Sequence, residues 1–261
     1  MEPFFTGDTY DTPEDMPLGL ADRILLKSRW AFYFRFIRVV FRYRSLCVKG
    51  KDSDELWAWN SYEITKAIER SGGRWHIEGI NNLKNVKEPL VVISNHMSAM
   101  ETQTLPAMIE PYFLVTFIVK KSLITHPVFG PIMRSRNPVA VGRVNPREDF
   151  QTVLTDGTKL LEKGISIIVF PQASRHDEFI PEKFNSLGVK LAKRAGVKVL
   201  PVALKTDFWG NGKRIKDFGP IDRSKPIHVA FGEPMTIEGN GSEQHLKCVE
   251  FVQSHLERWK V

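Results

Sequence analysis

Two residues whose types and spacing could do chemistry, His96 and Glu101, follow the apolar run at 90–93. In an uninterrupted helix, positions five apart differ by about 140° around the axis, so the two side chains would point in different directions. They can meet only where a strand ends at His96, the chain turns and a helix begins near Ser98. A carboxylate on one imidazole nitrogen holds the ring in one tautomer and makes the other nitrogen a better general base. The same spacing also fits a half-buried histidine and an unrelated, exposed glutamate, so the surrounding residues must decide.

Apolar runs alternating with helical patterns indicate the elements that would position this pair. Residues 90–93 are continuously apolar and mostly β-branched, which is typical of a strand buried on both faces. Helical spacing follows at 97–108. Further apolar runs occur at 112–119, 165–170, 197–204 and 226–231. In a chain of this length the order predicts an α/β fold with a mostly parallel central sheet flanked by helices.

Before the sheet, the chain divides into an arm and a basic helical segment. Residues 1–19 show no sustained period, which predicts an irregular arm. Residues 20–48 are rich in arginine and lysine, and on a helical wheel most of these lie opposite Phe32, Phe36 and Val40. A basic face backed by an aromatic face is typical of a helix in an anionic lipid interface. An apolar face packed on protein fits the same period.

A second helix is expected to end near residue 71. The predicted organisation is therefore an irregular arm at 1–19, a two-helix membrane-docking element at 20–71 and an α/β catalytic domain at 72–261.

Composition and charge narrow the class of protein. The net charge of +7 suggests an anionic partner, which could be nucleic acid, a membrane surface or a phosphorylated substrate. Cys47 and Cys248 give no disulfide framework and fit reduced thiols. No uncharged apolar window of about 18 residues exists, and the N-terminus lacks the order of a signal peptide. We therefore expect a protein that lies on the cytoplasmic face of a membrane.

The residues around the pair match a known pattern. Asn95-His96-x-Ser98-x-x-Glu101 resembles the first sequence block of the glycerolipid acyltransferases, Asn-His-x-Ser-x-x-Asp, with glutamate in place of aspartate. The resemblance covers about residues 72–238, and three further blocks follow in the order of that family.

In the second block, a lysine closes a strand and a later short strand ends on an arginine, and Lys121 and Arg143 match these positions. Residues 170–175 resemble the third block, Phe-Pro-Glu-Gly-Thr-Arg, with Ser174 for threonine and Arg175 matching. The strand at 197–204, which contains a proline, resembles the fourth.

Two residues of the third block depart from the family pattern. Gln172 keeps the size of the usual glutamate but loses its charge, and Ala173 lacks the freedom of glycine at positive φ. Both departures change the groups that this loop offers to an acceptor.

The resemblance implies transfer of an acyl chain from acyl-coenzyme A or acyl-carrier protein to a hydroxyl of a lysophospholipid. The acceptor that it favours is 1-acylglycerol-3-phosphate, and the product would be phosphatidic acid. It makes His96 the general base and Glu101 the residue that orients it. The substrate-binding residues that it implies are Lys121, Arg143, Arg175, Ser174, Asn95 and Ser98. No metal and no cofactor is expected, and an anionic membrane would contact residues 20–48.

Two alternatives remain open. Glutamate in the first block also resembles the lipid A late acyltransferases, so another lysolipid or polar lipid could be the acceptor. A non-enzymatic membrane- or nucleic-acid-binding module would explain the charge, but the basic residues concentrate in 20–51 instead of spreading over a sheet with exposed aromatics. We therefore expect no nucleic-acid partner. Serine-hydrolase and zinc motifs are absent from the sequence.

Overall fold

The apolar runs form the strands of one sheet, and the segments of helical period cover its faces in the computed structural model, which describes residues 1–260. The strands of this part of the chain are β1 (Tyr10–Asp11), β2 (Trp75–Glu78), β3 (Val91–Ser94), β4 (Val115–Lys120), β5 (Val139–Val141), β6 (Ser166–Val169), β7 (Val199–Lys205) and β8 (Ile227–Phe231). Its helices are α1 (Leu20–Ile24), α2 (Arg29–Val48), α3 (Asp54–Arg70), α4 (Asn81–Lys84), α5 (Met100–Ile109), α6 (Lys121–Ile124), α7 (Phe129–Ser135), α8 (Pro146–Glu162), α9 (Leu187–Ala195) and α10 (Ser242–Arg258).

The strand order is β1-β2-β8-β7-β3-β6-β4-β5. Most neighbours are parallel, and the antiparallel pairs are β1 with β2 and β7 with β8. The prediction of an α/β fold with a mostly parallel sheet is therefore confirmed. Because β3, β4, β5, β6 and β7 run in one direction, their carboxyl ends meet at one edge, where ligands bind in sheets of this kind.

The central strand β3 is buried on both faces, as its apolar run predicts. Val92 belongs to the core between the sheet and helices α2, α3 and α5, whereas Val91 and Ile93 belong to the core on the other face. That second core includes residues of α8, α9 and α10. Layers on both sides exclude water from β3, so its carboxyl end is a rigid place from which to project a side chain.

The N-terminal arm is less irregular than the sequence predicts, because residues 10–11 add strand β1 to the edge of the sheet. Thr12 extends this pairing, since its backbone N–H donates to Trp75 O and its hydroxyl accepts from Trp75 N. Tyr10 and Thr12 also donate their hydroxyls to the buried carboxylate of Glu69 on α3. Side-chain bonds to a neighbouring helix hold a segment that has no period of its own.

The basic segment at 20–48 is two helices and not one. Leu26 and Lys27 have positive φ values of 47° and 60° and break the helix between α1 and α2. The helical wheel of the whole segment therefore misplaces residues across the break. Arg35 shows the consequence, because its guanidinium pairs with the buried Asp22 carboxylate and donates to Ser71 Oγ at 2.8 Å instead of facing outward.

The apolar face of α2 packs on the rest of the protein. Phe32, Phe36 and Val40 lie in the core that also holds the sheet residues Val92 and Leu200. A second row of apolar residues on α2 faces outward and consists of Trp30, Phe34, Ile37 and Phe41.

Helix α5, which carries Glu101, is hydrogen-bonded to α3 at the point where Pro106 interrupts the backbone hydrogen bonds of α5. Pro106 has no N–H to donate within the helix. The hydroxyl of Ser61 donates to Gln103 O at 2.6 Å and accepts from Ala107 N at 2.9 Å. It therefore bridges two backbone groups that an unbroken helix would pair directly, and it fixes α5 against α3.

Candidate active site

His96 lies two residues beyond the end of β3 and reaches the candidate site from the strand edge. Its side chain is 16% exposed, and its ring stacks on Phe170 with centroids 4.3 Å apart. Its backbone carbonyl accepts from His176 N at 3.0 Å. The imidazole is thus held on one face by an aromatic ring while it lines a cavity.

The contact that the spacing predicts between His96 and Glu101 is present, with His96 Nδ1 2.7 Å from Glu101 Oε2. Helix α5 begins only at residue 100, so the carboxylate reaches back over the turn. Its other oxygen, Oε1, accepts from Met97 N at 2.9 Å and Ser98 N at 2.8 Å, and also from the hydroxyl of Thr206. Because the buried carboxylate has four partners, it is fully satisfied and cannot turn away from the imidazole.

Asn95 and Ser98, which the resemblance assigns to substrate binding, make their hydrogen bonds within the protein. The Asn95 amide donates to Leu204 O at 2.7 Å and accepts from Leu204 N at 2.9 Å, which ties the end of β3 to β7. Ser98 donates to Thr206 Oγ1 and accepts from Met100 N, each at 3.1 Å. Both side chains are buried, and neither lines the cavity. Their polar atoms are already paired, so they position the turn that carries His96.

A cavity of about 780 Å³ opens in front of the imidazole. Part of its wall is apolar and includes Phe117, Leu123, Phe129 and Met133. The lining also carries five basic and two acidic side chains, namely Lys120, Arg143, Arg175, Lys190, Lys216, Asp149 and Asp217. A cavity lined by both apolar and basic side chains suits an amphipathic anion.

The basic residues that the sequence singled out are not equally placed. Arg143 and Arg175 line the cavity, as does Ser174. Lys121 does not, because it begins the short helix α6 and faces solvent, while its neighbour Lys120 at the end of β4 lines the cavity. Substrate binding by Lys121 therefore stays a prediction, and Lys120 is the lysine of this pair that lines the cavity.

The loop that carries Arg143 is pinned by a carboxylate. Asp149 accepts from Gly142 N and from Arg143 N, each at 2.8 Å, and Arg143 has a positive φ of 57°. These bonds compensate the backbone strain and leave the guanidinium side chain free to extend into the cavity.

The two departures in the third block, Gln172 and Ala173, affect the hydrogen bonding and the backbone conformation of the loop. Ala173 has a φ of 58°, a conformation in which glycine would carry no strain. Gln172 is buried, its Oε1 lies at the long distance of 3.5 Å from His96 N, and its Nε2 has no hydrogen-bond partner. The loop has the conformation that a glycine at 173 would favour, but it is less well satisfied.

Sequence reasoning missed Thr206, which holds both Glu101 and Ser98 and directly follows β7. A parallel strand that neighbours β3 must deliver its carboxyl end to the same edge, so the polar residues that directly follow residues 197–204, Lys205 and Thr206, were detectable candidates. Trp209 and Asp217, which line the cavity from the segment between β7 and β8, have no comparable pattern.

Within residues 1–260, no group of three or more histidine, cysteine or acidic side chains is arranged to hold a metal ion. The same residues include no helix with the length and apolar character needed to cross a bilayer.

A strand-end histidine held by a buried carboxylate beside a cavity is the arrangement of a general-base enzyme, and comparison with known proteins defines the class. The family described as Acyltransferase matches residues 74–205, so the chain belongs to the acyltransferase family.

Its relatives narrow the comparison. A 1-acyl-sn-glycerol-3-phosphate acyltransferase of Pseudomonas aeruginosa is 28% identical over 204 residues, which are 78% of this chain and 73% of the relative. A chloroplastic 1-acyl-sn-glycerol-3-phosphate acyltransferase of Arabidopsis thaliana is 30% identical over 138 residues, which cover 53% of this chain and 36% of that protein. The fold is similar to the crystal structure of the 1-acyl-sn-glycerophosphate acyltransferase PlsC from Thermotoga maritima, with a TM-score of 0.67, 22% identity and coverage of 92% and 97% of the two chains.

Proposed function

We propose that the protein transfers a fatty acyl chain from a thioester, acyl-coenzyme A or acyl-carrier protein, to the free hydroxyl of 1-acylglycerol-3-phosphate. The observation that carries the proposal is the His96–Glu101 contact of 2.7 Å at the wall of a cavity lined by both apolar and basic side chains. The names of the relatives in the preceding section support the same acceptor. The thioester is a substrate, and the mechanism uses no cofactor.

The proposed chemistry is general-base catalysis. The N–H at Nδ1 of His96 donates a hydrogen bond to the Glu101 carboxylate, which leaves the unprotonated Nε2 to accept a proton. Nε2 takes the proton of the acceptor hydroxyl as the oxygen attacks the thioester carbonyl. When the tetrahedral intermediate collapses, the carbon–sulfur bond breaks and the imidazolium returns the proton to the departing sulfur. Glu101 stabilises the imidazolium in both steps, and such assistance contributes about 10²–10⁴-fold.

The acceptor phosphate is assigned to the basic side chains of the cavity, with Arg175 and Arg143 as the principal partners and Ser174 as a further donor. A guanidinium donates two parallel hydrogen bonds to a phosphate. The apolar lining, which includes Phe117 and Phe129, is assigned to an acyl chain.

Replacing either arginine should therefore act mainly on acceptor binding. Arg175→Ala is expected to raise the KM for 1-acylglycerol-3-phosphate about tenfold or more, because a charge-assisted contact contributes about 1.5–3 kcal/mol. Arg143 is more exposed, so Arg143→Ala should raise KM only about three- to tenfold. Monoacylglycerol, which lacks the phosphate, is the comparison acceptor, and equal losses toward it would contradict the assignment.

The function itself is tested by incubating the protein with acyl-coenzyme A and a panel of lysolipids and following thiol release together with the lipid product. The expected result is transfer to 1-acylglycerol-3-phosphate with the highest kcat/KM. Preferential transfer to another lysolipid would retain the chemistry and change the acceptor. Absence of His96-dependent transfer to any acceptor would reject the proposed function.

We further propose that the protein rests on a membrane surface through α1 and the outward row of α2. The supporting observation is an exposed apolar surface that includes Ile24, Leu25 and Leu26 together with Trp30, Phe34, Ile37 and Phe41. Exposed basic side chains adjoin it, among them Arg23, Lys27, Arg29 and Arg38. Apolar side chains bordered by cations suit an anionic lipid interface. This surface replaces the face centred on Phe32 and Phe36 that the sequence predicts, because those rings are buried.

Removing the outward row should release the protein from lipid. Phe34→Ser, Ile37→Ser and Phe41→Ser together are expected to lower sedimentation with anionic vesicles at least about tenfold, since burial of each side chain contributes about 1.5–3 kcal/mol. Activity on detergent-dispersed substrate should persist. Leu246→Ser removes an exposed leucine from α10 and is the matched control. Unchanged sedimentation of the triple variant would disprove this docking surface.

A further inference from the structure

Arg175, to which the acceptor phosphate is assigned above, already faces a negative charge in the protein. Its Nη1 lies 2.7 Å from Oδ1 of Asp217. Asp217 belongs to the segment that connects β7 with β8, and it lines the same cavity as Arg175. The carboxylate therefore occupies part of the space in which a phosphate would contact the guanidinium.

The contact is a charge pair without an aligned hydrogen bond. Nη1 of Arg175 is buried and has no hydrogen-bond partner, although the Asp217 oxygen is close to it. The Asp217 side chain is 43% exposed and that of Arg175 is 17% exposed. A half-exposed, poorly aligned carboxylate is held weakly and can turn into solvent at low cost. A phosphate, by contrast, can satisfy the planar fork with two parallel bonds.

The backbone around Asp217 is nevertheless held in place by hydrogen bonds to neighbouring side chains. Trp209 Nε1 donates to Asp217 O at 3.1 Å, and the Tyr33 hydroxyl donates to Gly219 O at 2.8 Å. The Trp209 ring packs edge-on against Phe32 and Phe36, with centroids 4.9 Å and 5.0 Å apart. Helix α2 thus holds the segment that presents the carboxylate to Arg175.

We propose that Asp217 is an internal competing anion. Its carboxylate occupies the anion site at Arg175 until the acceptor phosphate replaces it, and the carboxylate returns to that site when the product leaves. The proposal rests on the proposed function, because it assigns the phosphate of the acceptor to Arg175. The free energy needed to displace the Asp217 carboxylate is the same for every phosphorylated ligand at this site, so it weakens the binding of substrate and product alike. A ligand without phosphate does not displace the carboxylate and bears no such cost.

The test compares the full chain with its Asp217→Asn variant, which keeps the side-chain shape and removes the charge. The expected result is a KM for 1-acylglycerol-3-phosphate lowered about two- to fivefold, and inhibition by phosphatidic acid strengthened by a similar factor. The KM for monoacylglycerol should not change. Glu178→Gln is the matched control, because it removes an equal charge from an exposed residue close to Arg175 in the chain.

A double variant separates competition at Arg175 from a general gain of positive charge. In an Arg175→Ala background, Asp217→Asn should lose most of its effect on KM, because the two changes act on one contact. An equal reduction of KM by Glu178→Gln, or a reduction of the same size without Arg175, would overturn the proposal. An unchanged or raised KM in Asp217→Asn would also overturn it.

A binding measurement keeps this proposal distinct from the proposed function. Glycerol 3-phosphate is titrated into the wild type, Asp217→Asn and Glu178→Gln without acyl donor, and binding is followed by phosphorus NMR line broadening. Tighter binding to Asp217→Asn alone supports the competing anion even where no acyl transfer is detected. Equal binding to the three proteins rejects it, whatever the activity on lysolipids.

Discussion

Replacing His96 by alanine is expected to lower kcat for acyl transfer by about 10²–10⁴-fold, because the variant lacks the general base that takes the proton of the acceptor hydroxyl. The imidazole stacks on Phe170 and contacts the Glu101 carboxylate at 2.7 Å, an arrangement suited to one ring orientation and one tautomer. The KM for the acceptor should change little, since the base contributes mainly in the transition state.

The measurement is the rate of thiol release from acyl-coenzyme A in the presence of 1-acylglycerol-3-phosphate, with the unfolding temperature determined in parallel. The His96 side chain lines the cavity beyond the end of β3, so a folded variant is expected. His76→Ala makes the same substitution on β2, close to the outer edge of the sheet, and should retain activity. Retention of more than about a tenth of the wild-type rate by His96→Ala would argue against general-base catalysis by this residue.

The second large effect is expected at Glu101, where glutamine should reduce kcat by about 10²-fold or more, by analogy with the larger loss when a triad carboxylate becomes an amide. The amide oxygen of glutamine can still accept from Met97 N and Ser98 N. Its NH₂ group would then face Nδ1 of His96, and two donors cannot pair. The imidazole would move its proton to Nε2, which could no longer accept the hydroxyl proton, and the imidazolium would lose its stabilising charge.

Glu101→Asp is the informative partner of this variant. Aspartate keeps the charge but is one methylene shorter, so it can retain only some of the contacts that Glu101 makes with the turn and with Thr206. Measurable turnover is therefore expected from Glu101→Asp and far less from Glu101→Gln. The comparison requires both proteins to unfold at similar temperatures. Full activity of Glu101→Gln would mean that the carboxylate only caps the start of α5.

Much of the site could be predicted because its central contact is local. The end of the apolar run at residue 93 places His96 at a strand end, and the helical spacing that follows brings Glu101 back over one turn. The parallel sheet then explains why residues far apart in the sequence, such as Arg143 and Arg175, line one cavity, since each follows the carboxyl end of a parallel strand. These features depend on period and strand direction, which the order of residue types carries.

Predictions were less successful where they depended on which face of a helix packs against the rest of the protein. The wheel of residues 20–48 placed Phe32 and Phe36 opposite a basic stripe, but a wheel assumes one helix and no partner. The backbone breaks the helix at Leu26 and Lys27, which the wheel ignores. The pairing of Arg35 with Asp22 and the packing of Phe36 on Trp209 involve residues outside α2. For the same reason, the sequence could not distinguish Lys120 from Lys121.

By itself, the sequence determined the α/β class, the buried strand β3 and the position of His96 and Glu101 on either side of a turn, because each depends on local periodicity and spacing. Tertiary structure alone decided that Thr206 completes the shell around Glu101, that Asn95 and Ser98 face the protein and not the cavity, and that Asp217 lies against Arg175. Each of these contacts joins segments between 40 and about 110 residues apart in the chain. Such contacts form only when a shared core brings the segments together, and no local pattern encodes the partner.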